Sequence, residues 1–379
     1  MTGETHADAF SAQVALRRPI TVDFVNQFFA HYRHAVMSLI DDDERYVVTW
    51  VCDDHSISTP DVPSASLTDM RWVHTRCRRL VGTVFIQSHV VSRALTGKAD
   101  VVVYTGDPRF ATTWLAAAIS RLRGRRVLMW THGWTHPDRP PTRMLRLAFY
   151  NLANGLIVYA RRARTIGQRM GYRKPFFVVG NSMGAPAAIP LPDDRDRRTA
   201  QRWIIVSRLI AERRLDAVLT QMARLMASGK RVELDVVGDG PVRMDLQAQA
   251  QALNVPVRFH GALYDPLDTE KLLVEADILL SPGHVGLAAI HALSTGCPVA
   301  THADNDRQMP EEAAVVPGVT GVRFERGDYE QMADLAWAFV ASSDRAAVVL
   351  ACHAEVARYW SPQAHAAGIL NALNETVRR

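Results

Sequence analysis

Lysine is nearly missing from this 379-residue chain: Lys98, Lys174, Lys230 and Lys271 are the only four among 44 Lys and Arg, so arginine carries the positive charge. Cysteine is as sparse. Cys52, Cys77, Cys297 and Cys352 stand singly with no CxxC pair, which excludes a secreted disulfide framework and a thiolate zinc site and fits a reducing compartment. Met1–Ala15 has neither the basic start nor the apolar run of a signal peptide. No long hydrophobic run replaces it. The longest stretch free of Asp, Glu, Lys and Arg is Ile278–Ala303, and Pro282, Gly283, Gly286, Gly296, Pro298 and three histidines interrupt it. An apolar helix of about 20 residues, the length that crosses a bilayer, does not form there. No P-loop or GxGxxG fingerprint occurs. Apolar (48%) and charged (22%) fractions are ordinary, which excludes disordered and fibrous classes. The expectation is a cytoplasmic protein, soluble or peripheral on a membrane.

What is present is an alternation. Short apolar runs at Thr21–Val25, Tyr46–Val51, Thr83–Gln87, Asp100–Tyr104, Arg126–Trp130, Gly155–Tyr159 and Phe176–Val179 read as strands, with helical patterns such as Ala111–Leu122 between them. A Pro-, Ala- and charge-rich break at Gly184–Ala200 reads as a linker. The alternation restarts with strands at Trp203–Val206, Arg231–Val237, Val257–Phe259, Ile278–Ser281, Pro298–Thr301 and Gly321–Phe324. Leu215–Ser228 has helical periodicity, with Leu215, Val218, Leu219, Met222, Leu225 and Met226 on one face and Gly229 as its stop. At roughly 150 residues per domain, two to three domains are expected. The fold class is α/β: a Rossmann-like domain over 1–186, a second over 187–357, and a C-terminal helix over 358–379 that crosses back to the first. Ligands bind such sheets at the carboxyl ends of the strands.

Three motifs in the second half carry chemistry. Arg208 follows a strand end and Arg213 precedes the next helix; two planar, permanently charged guanidiniums there suit a diphosphate, though a solvated loop reads the same way. Gly238-Asp239-Gly240-Pro241 gives a tight strand-to-helix turn with Pro at the first helical position, either as plain structure or as a ligand loop. In Ser281–His302, Gly283 and Gly286 let a backbone pass close to a ligand, and the helix opening at Leu287 offers unpaired amides to phosphate. His291, one turn on, is either a packed core residue or a partner for a ribose or sugar hydroxyl.

Taken in order, Arg208-Leu209 with Arg213, Gly238-Asp239-Gly240-Pro241, Phe259-His260-Gly261, Ala276-Asp277, Gly286-Leu287 with Gly296-x-Pro298-Val299, and Gly318 with Gly321 resemble the C-terminal domain of family 4 glycosyltransferases. The resemblance covers roughly Ile204–Ala336. It implies the GT-B fold, with two Rossmann-like domains facing each other across a cleft, and a retaining hexosyltransferase that takes a nucleotide-sugar donor and needs neither metal nor cofactor. It implies a donor site of Gly238, Gly240, Gly261, Gly283, Val285, Gly286, Leu287, His291 and Glu311, with Arg208 and Arg213 stabilising the departing phosphate. The family commonly has two Glu flanking the glycine loop; Gly283 and His291 stand at those positions. On the acceptor side it implies His132 as a catalytic residue in Trp130–Trp134, His31, Tyr32 and Arg33 in Asn26–Arg33, and Asn181 at the end of the last N-domain strand. A lipid-linked or cell-envelope glycan is the implied acceptor. A nucleotide-sugar epimerase of the same fold and a non-catalytic sugar-nucleotide-binding scaffold are the alternatives.

Two charge features complete the reading. Asp41-Asp42-Asp43 and Asp304-Asn305-Asp306 superficially resemble a metal-binding DxD, but their settings read as solvated loops. Between Ser120 and Pro175 stand thirteen Lys and Arg against one acid, Asp138, whereas the rest of the chain is mildly acidic. No nucleic-acid recognition motif accompanies these arginines. They form either a solvated face or, with the apolar residues of a helix over Pro141–Asn154, a surface for anionic lipid on the inner face of the plasma membrane.

Overall fold

The structure, a computed structural model, describes residues 18–57, 62–184, 197–263 and 265–378. Its first half contains strands β1 (Ile20–Phe28), β2 (Tyr46–Asp53), β3 (Trp72–His74), β4 (Cys77–Val81), β5 (Val84–Gln87), β6 (Val101–Thr105), β7 (Arg126–Thr131), β8 (Gly155–Val158) and β9 (Phe176–Val178). Between them lie helices α1 (His34–Asp41), α2 (Val90–Thr96), α3 (Ala111–Leu122), α4 (Pro140–Tyr150) and α5 (Arg161–Arg169). The second half has strands β10 (Ala200–Val206), β11 (Arg231–Val237), β12 (Val257–Gly261), β13 (Ile278–Ser281), β14 (Val299–His302) and β15 (Gly321–Phe324). Helices α6 (Leu215–Ala227), α7 (Arg243–Ala252), α8 (Pro266–Glu275), α9 (Leu287–Ser294) and α10 (Tyr329–Ser342) accompany them, and α11 (Arg345–Glu355) and α12 (Pro362–Arg378) end the chain.

The strands make two parallel sheets, ordered β3-β2-β1-β6-β7-β8-β9 and β12-β11-β10-β13-β14-β15. Period-two alternation decides what each face buries. In the first sheet Val22, Phe24, Val101, Val103, Leu128 and Ile157 pack against α1 and α12, while their neighbours Val25, Val102, Tyr104, Val127, Leu156 and Val158 pack against α2, α3 and α4. Both faces are covered, which is why these strands read as continuous apolar runs. In the second sheet Trp203, Ile205, Leu234 and Leu280 face α6 and α10; Ile204, Leu279 and Val299 face α8 and α9. The apolar stripe of α6 is buried as its spacing requires, and Gly229, at φ +86°, closes the helix.

Two departures from the sequence reading stand out. Val84–Gln87 is a strand, but it pairs antiparallel with β4 in a separate hairpin and does not join the parallel sheet. The edge strand β3 and hairpin strand β4 escape the pattern because their residues are mostly exposed and show no apolar alternation. The proposed domain boundary at 186/187 and the central part of the linker lie outside the described residues. The last helix, α12, buries Ala366, Ile369, Ala372 and Leu373 in the same cluster as Val22 and Phe24 of the first sheet. At the crossing, Gly180 (φ +71°) meets the carbonyl of Tyr359, and any Cβ there would overlap it. Among the described residues no single helix is long and apolar enough to cross a membrane.

Candidate active site

In the second domain, where the sequence reading expects the donor, the site is built by loops at the carboxyl ends of β10, β11 and β13. Leu209, fully buried, anchors the loop after β10 and leaves Arg208 exposed beside it. The Gly-Asp-Gly-Pro turn fits against this loop. A Cβ at Gly238 would overlap the carbonyl of Ser207, one at Gly240 that of Leu209, and Leu209 N–H donates to the Asp239 carbonyl at 2.9 Å. Gly261 belongs to the same framework, its carbonyl accepting from Gly238 N–H at 2.7 Å. The glycines thus set the backbone that presents Arg208.

Arg213 reaches the other motif. Its guanidinium donates to the His284 carbonyl, its Nε is buried without a partner, and burial pulls its pKa down. Gly283 lies close enough that a Cβ would sit 3.3 Å from the Glu212 carbonyl and 3.4 Å from Arg213 Cα. The basic pair and the glycine loop are therefore neighbours. Val285 is buried, and its N–H donates to Gln308 Oε1 at 2.8 Å; Gln308 Nε2 donates onward to Thr301 Oγ1 and the His302 carbonyl. Gln308 thus clamps the loop, a role that its place in the sequence does not reveal. Gly286 precedes α9 with no side-chain cap, and its carbonyl accepts from the Ala289 N–H at 2.9 Å. His291 lies on α9, largely buried, with Nε2 3.5 Å from the Glu270 carboxylate on α8. Burial lowers its pKa and Glu270 opposes that shift. The pair brings a carboxylate to His291, the residue expected at the second Glu position, from 21 residues away in sequence, a contact invisible to motif reading.

In the first domain, where the sequence reading expects the acceptor, a cavity of about 440 Å³ opens at the strand ends, lined by Tyr32, Arg33, Asp107, Trp130, His132 and Tyr159 among others. His31 shares the short helical turn His31–Arg33 but does not line the cavity. Arg33 is the organiser. Its guanidinium donates to Tyr159 Oη at 3.2 Å, approaches His365 Nδ1 at 3.3 Å, and lies 5.3–5.4 Å from the ring centroids of Tyr32, Trp130 and Tyr159. Such cation–π contacts hold the arginine where few carboxylates are available. His132 is exposed at the cavity mouth, its ring centroid 4.8 Å from Tyr159; desolvation by the surrounding protein and the Arg33 charge push its pKa down to about 4. At neutral pH it is an uncharged acceptor or donor.

Asn181 and Glu311, expected on opposite sides of the cleft, meet. Asn181 Nδ2 donates to Glu311 Oε1, both residues are buried, and burial raises the Glu311 pKa. They form an interdomain clasp in this structure. Asp306, from the second DxD-like triplet, pairs with Arg162 of the first domain at 2.7 Å. The helix α4 divides the apolar residues expected on one surface: Phe149 and Tyr150 are buried, whereas Met144 and Leu145 are 73% and 56% exposed. Several arginines of the basic segment are also tied down, Arg146 to Asp138 at 3.0 Å and Arg143 to the Met170 carbonyl at 2.8 Å.

Residues 200–341 match the family described as glycosyl transferases group 1. Among curated proteins, the GDP-mannose-dependent alpha-(1-6)-phosphatidylinositol dimannoside mannosyltransferase of Mycobacterium tuberculosis is 31% identical over 143 residues, 33% of this chain and 37% of that protein. The alpha-monoglucosyldiacylglycerol synthase of Streptococcus pneumoniae is 34% identical over 102 residues, 26% of this chain and 23% of its own. The matched stretches thus span 37% and 23% of those two relatives. Solved structures extend the likeness across the chain. The lipopolysaccharide outer core galactosyltransferase WaaB superposes with TM-score 0.70 at 14% identity, covering 94% of this chain and 99% of that one. The Anabaena protein HepE, solved in complex with UDP, gives 0.67 at 15% identity, covering 94% and 100%. Over residues 200–341 the chain is similar to the glycosyl transferases group 1 family, and the whole chain has the two-domain GT-B fold of the solved structures it superposes on.

Proposed function

We propose that this protein is a retaining glycosyltransferase that moves a sugar from a nucleotide-sugar donor to a lipid-linked or cell-envelope glycan, with no metal or cofactor. The observation that carries the reading is the juxtaposition of Arg213 with the 283–287 loop inside the group 1 domain, beside an exposed Arg208. A nucleotide diphosphate seated there meets two guanidiniums, and its departing phosphate gains negative charge as the glycosidic bond breaks. Preorganised cations aimed at that charge lower the barrier. The departing phosphate then accepts the acceptor's hydroxyl proton on the same face, so the new bond keeps the donor's anomeric configuration. His132 and Arg33 line the opposing cavity and orient the acceptor. His291 with Glu270 takes the place of a carboxylate at the ribose. The lipid- and envelope-directed names of the proteins it resembles support the acceptor class.

The test is a panel of UDP-, GDP- and dTDP-sugars offered to the purified protein, with hydrolysis or transfer as the readout. Arg208→Ala should cost roughly 10²–10³ in turnover with unchanged circular dichroism, because the side chain is exposed. Near-normal turnover refutes the role. The reading includes a peripheral site on the membrane's inner face, where Met144 and Leu145 meet lipid. Leu145→Glu should then weaken cosedimentation with phosphatidylglycerol-containing vesicles; unchanged sedimentation removes this part.

A further inference from the structure

A second cavity, of about 520 Å³, lies on the hinge side of the cleft. Its walls come from the ends of β8 and β9, the start of α5, Ala313 of the second domain, and the π-helical turn Val356–Trp360 that leads into α12. Four arginines line it, Arg161, Arg162, Arg164 and Arg358, against one carboxylate, Glu355. Glu355 is already in use, accepting from Trp360 Nε1 at 3.1 Å. Arg162 pairs with Asp306. No carboxylate among the described residues pairs with Arg161, Arg164 or Arg358, and the last lies only against the Tyr359 ring, 4.8 Å from its centroid. Val178, Val179 and Trp360 give the cavity an apolar floor.

The placement of these cations runs against the local structure. The first turn of α5 holds Arg161, Arg162 and Arg164 and no acid, and Ala160, at the N-cap, offers the helix no side-chain cap. The amino end of a helix is its positive pole, where cations are unfavourable and anions favourable. Three arginines at that pole, with a fourth facing them from another element, are a local conflict of the kind that natural sequences keep at ligand sites. An anion resolves it by neutralising the guanidiniums and pole together. We propose that this cavity is a second anion site, separate from the donor diphosphate, and that it binds a phosphate-bearing ligand whose apolar part rests on Val178 and Trp360. The site shares Tyr159 with the acceptor-side cavity and no lining residue with the Arg208 and Arg213 loops. A phosphate held here would thus share a wall with the acceptor-side cavity and none with the Arg208 and Arg213 loops.

Calorimetric titration of the full chain with inorganic pyrophosphate tests it. In an Arg208→Ala/Arg213→Ala background, which strips the donor-side cations, binding is expected to persist. Adding Arg161→Ala/Arg164→Ala/Arg358→Ala should then weaken it at least tenfold, with Arg164→Ala alone intermediate. All three side chains are exposed, and circular dichroism checks that the variants fold. Absence of binding in the first background, or binding untouched by the triple substitution, overturns the proposal. So does an equal loss on replacing three exposed arginines elsewhere in the same domain, Arg78, Arg79 and Arg123. If the donor-side substitutions leave the total stoichiometry unchanged, the donor reading fails while this site stands. Cosedimentation with phosphatidylcholine vesicles containing phosphatidylglycerol separates the sources. A triple variant that also loses vesicle binding identifies a lipid headgroup, and one that loses only pyrophosphate identifies a soluble phosphate ester.

Discussion

His365 shows what one buried residue contributes. It is fully buried, Ser182 Oγ lies 3.0 Å and Arg33 Nη1 3.3 Å from its Nδ1, and Trp130 packs edge-on at 5.5 Å. A guanidinium can only donate, so Nδ1 accepts and the imidazole is neutral. Burial, then the Arg33 charge, push its pKa well below the usual value. The unfolded chain therefore binds the proton first as pH falls. The stability this residue supplies is complete above about pH 6.5 and is lost progressively below it. Glu311, raised by burial, has the opposite sign, so the comparison must isolate the histidine. Urea midpoints of the wild type and His365→Gln at pH 7.5 and pH 5 should show a steeper acid loss in the wild type. Equal pH dependence would show that His365 is not the titrating group. Residues such as these are silent in sequence. Asn181 and Glu311 are 130 positions apart, and Glu270 gives no sign that it stands behind His291.

Elements were far more legible, for a physical reason. Strands buried on both faces write continuous apolar runs, and the α6 stripe writes a helical period; both follow from burial. The hairpin of β4 and β5 buries too little to leave such a record, and Leu80 and Val81 are 61% and 67% exposed. The motif loops are intermediate cases. Two glycines in Gly-Asp-Gly-Pro signal a tight turn, but only the fold shows that they seat against the loop bearing Arg208. Gly238 has φ +131° and no room for a Cβ. Gly238→Ala should therefore lower both the melting temperature and donor turnover, the latter by displacing the Arg208 loop. A variant that melts lower yet turns over normally would separate the turn from the site.

At the scale of the whole molecule the two domains are joined by polar contacts across the cleft as well as by the chain. Removing the Glu311 acceptor leaves the buried Asn181 donor unsatisfied, at a cost of about 1–3 kcal/mol. Glu311→Ala should thus melt well below the wild type, and Glu311→Gln, which keeps a carbonyl acceptor, should lie between them. Equal melting of the two variants would show that the clasp does not hold the domains. The arginine-rich segment divides in the same frame. Some of its cations are internal struts, Arg162 bridges the domains, and Arg161 and Arg164 face the hinge cavity.

The central claim is that Arg208 and Arg213 hold a donor diphosphate while the sugar is transferred with its configuration kept. Nuclear magnetic resonance of the product formed from an α-linked nucleotide sugar tests it directly. The account predicts an α-linked product in the presence of EDTA, formed at least a hundredfold more slowly by Arg208→Ala. A β-linked product, or transfer indifferent to Arg208, would contradict it.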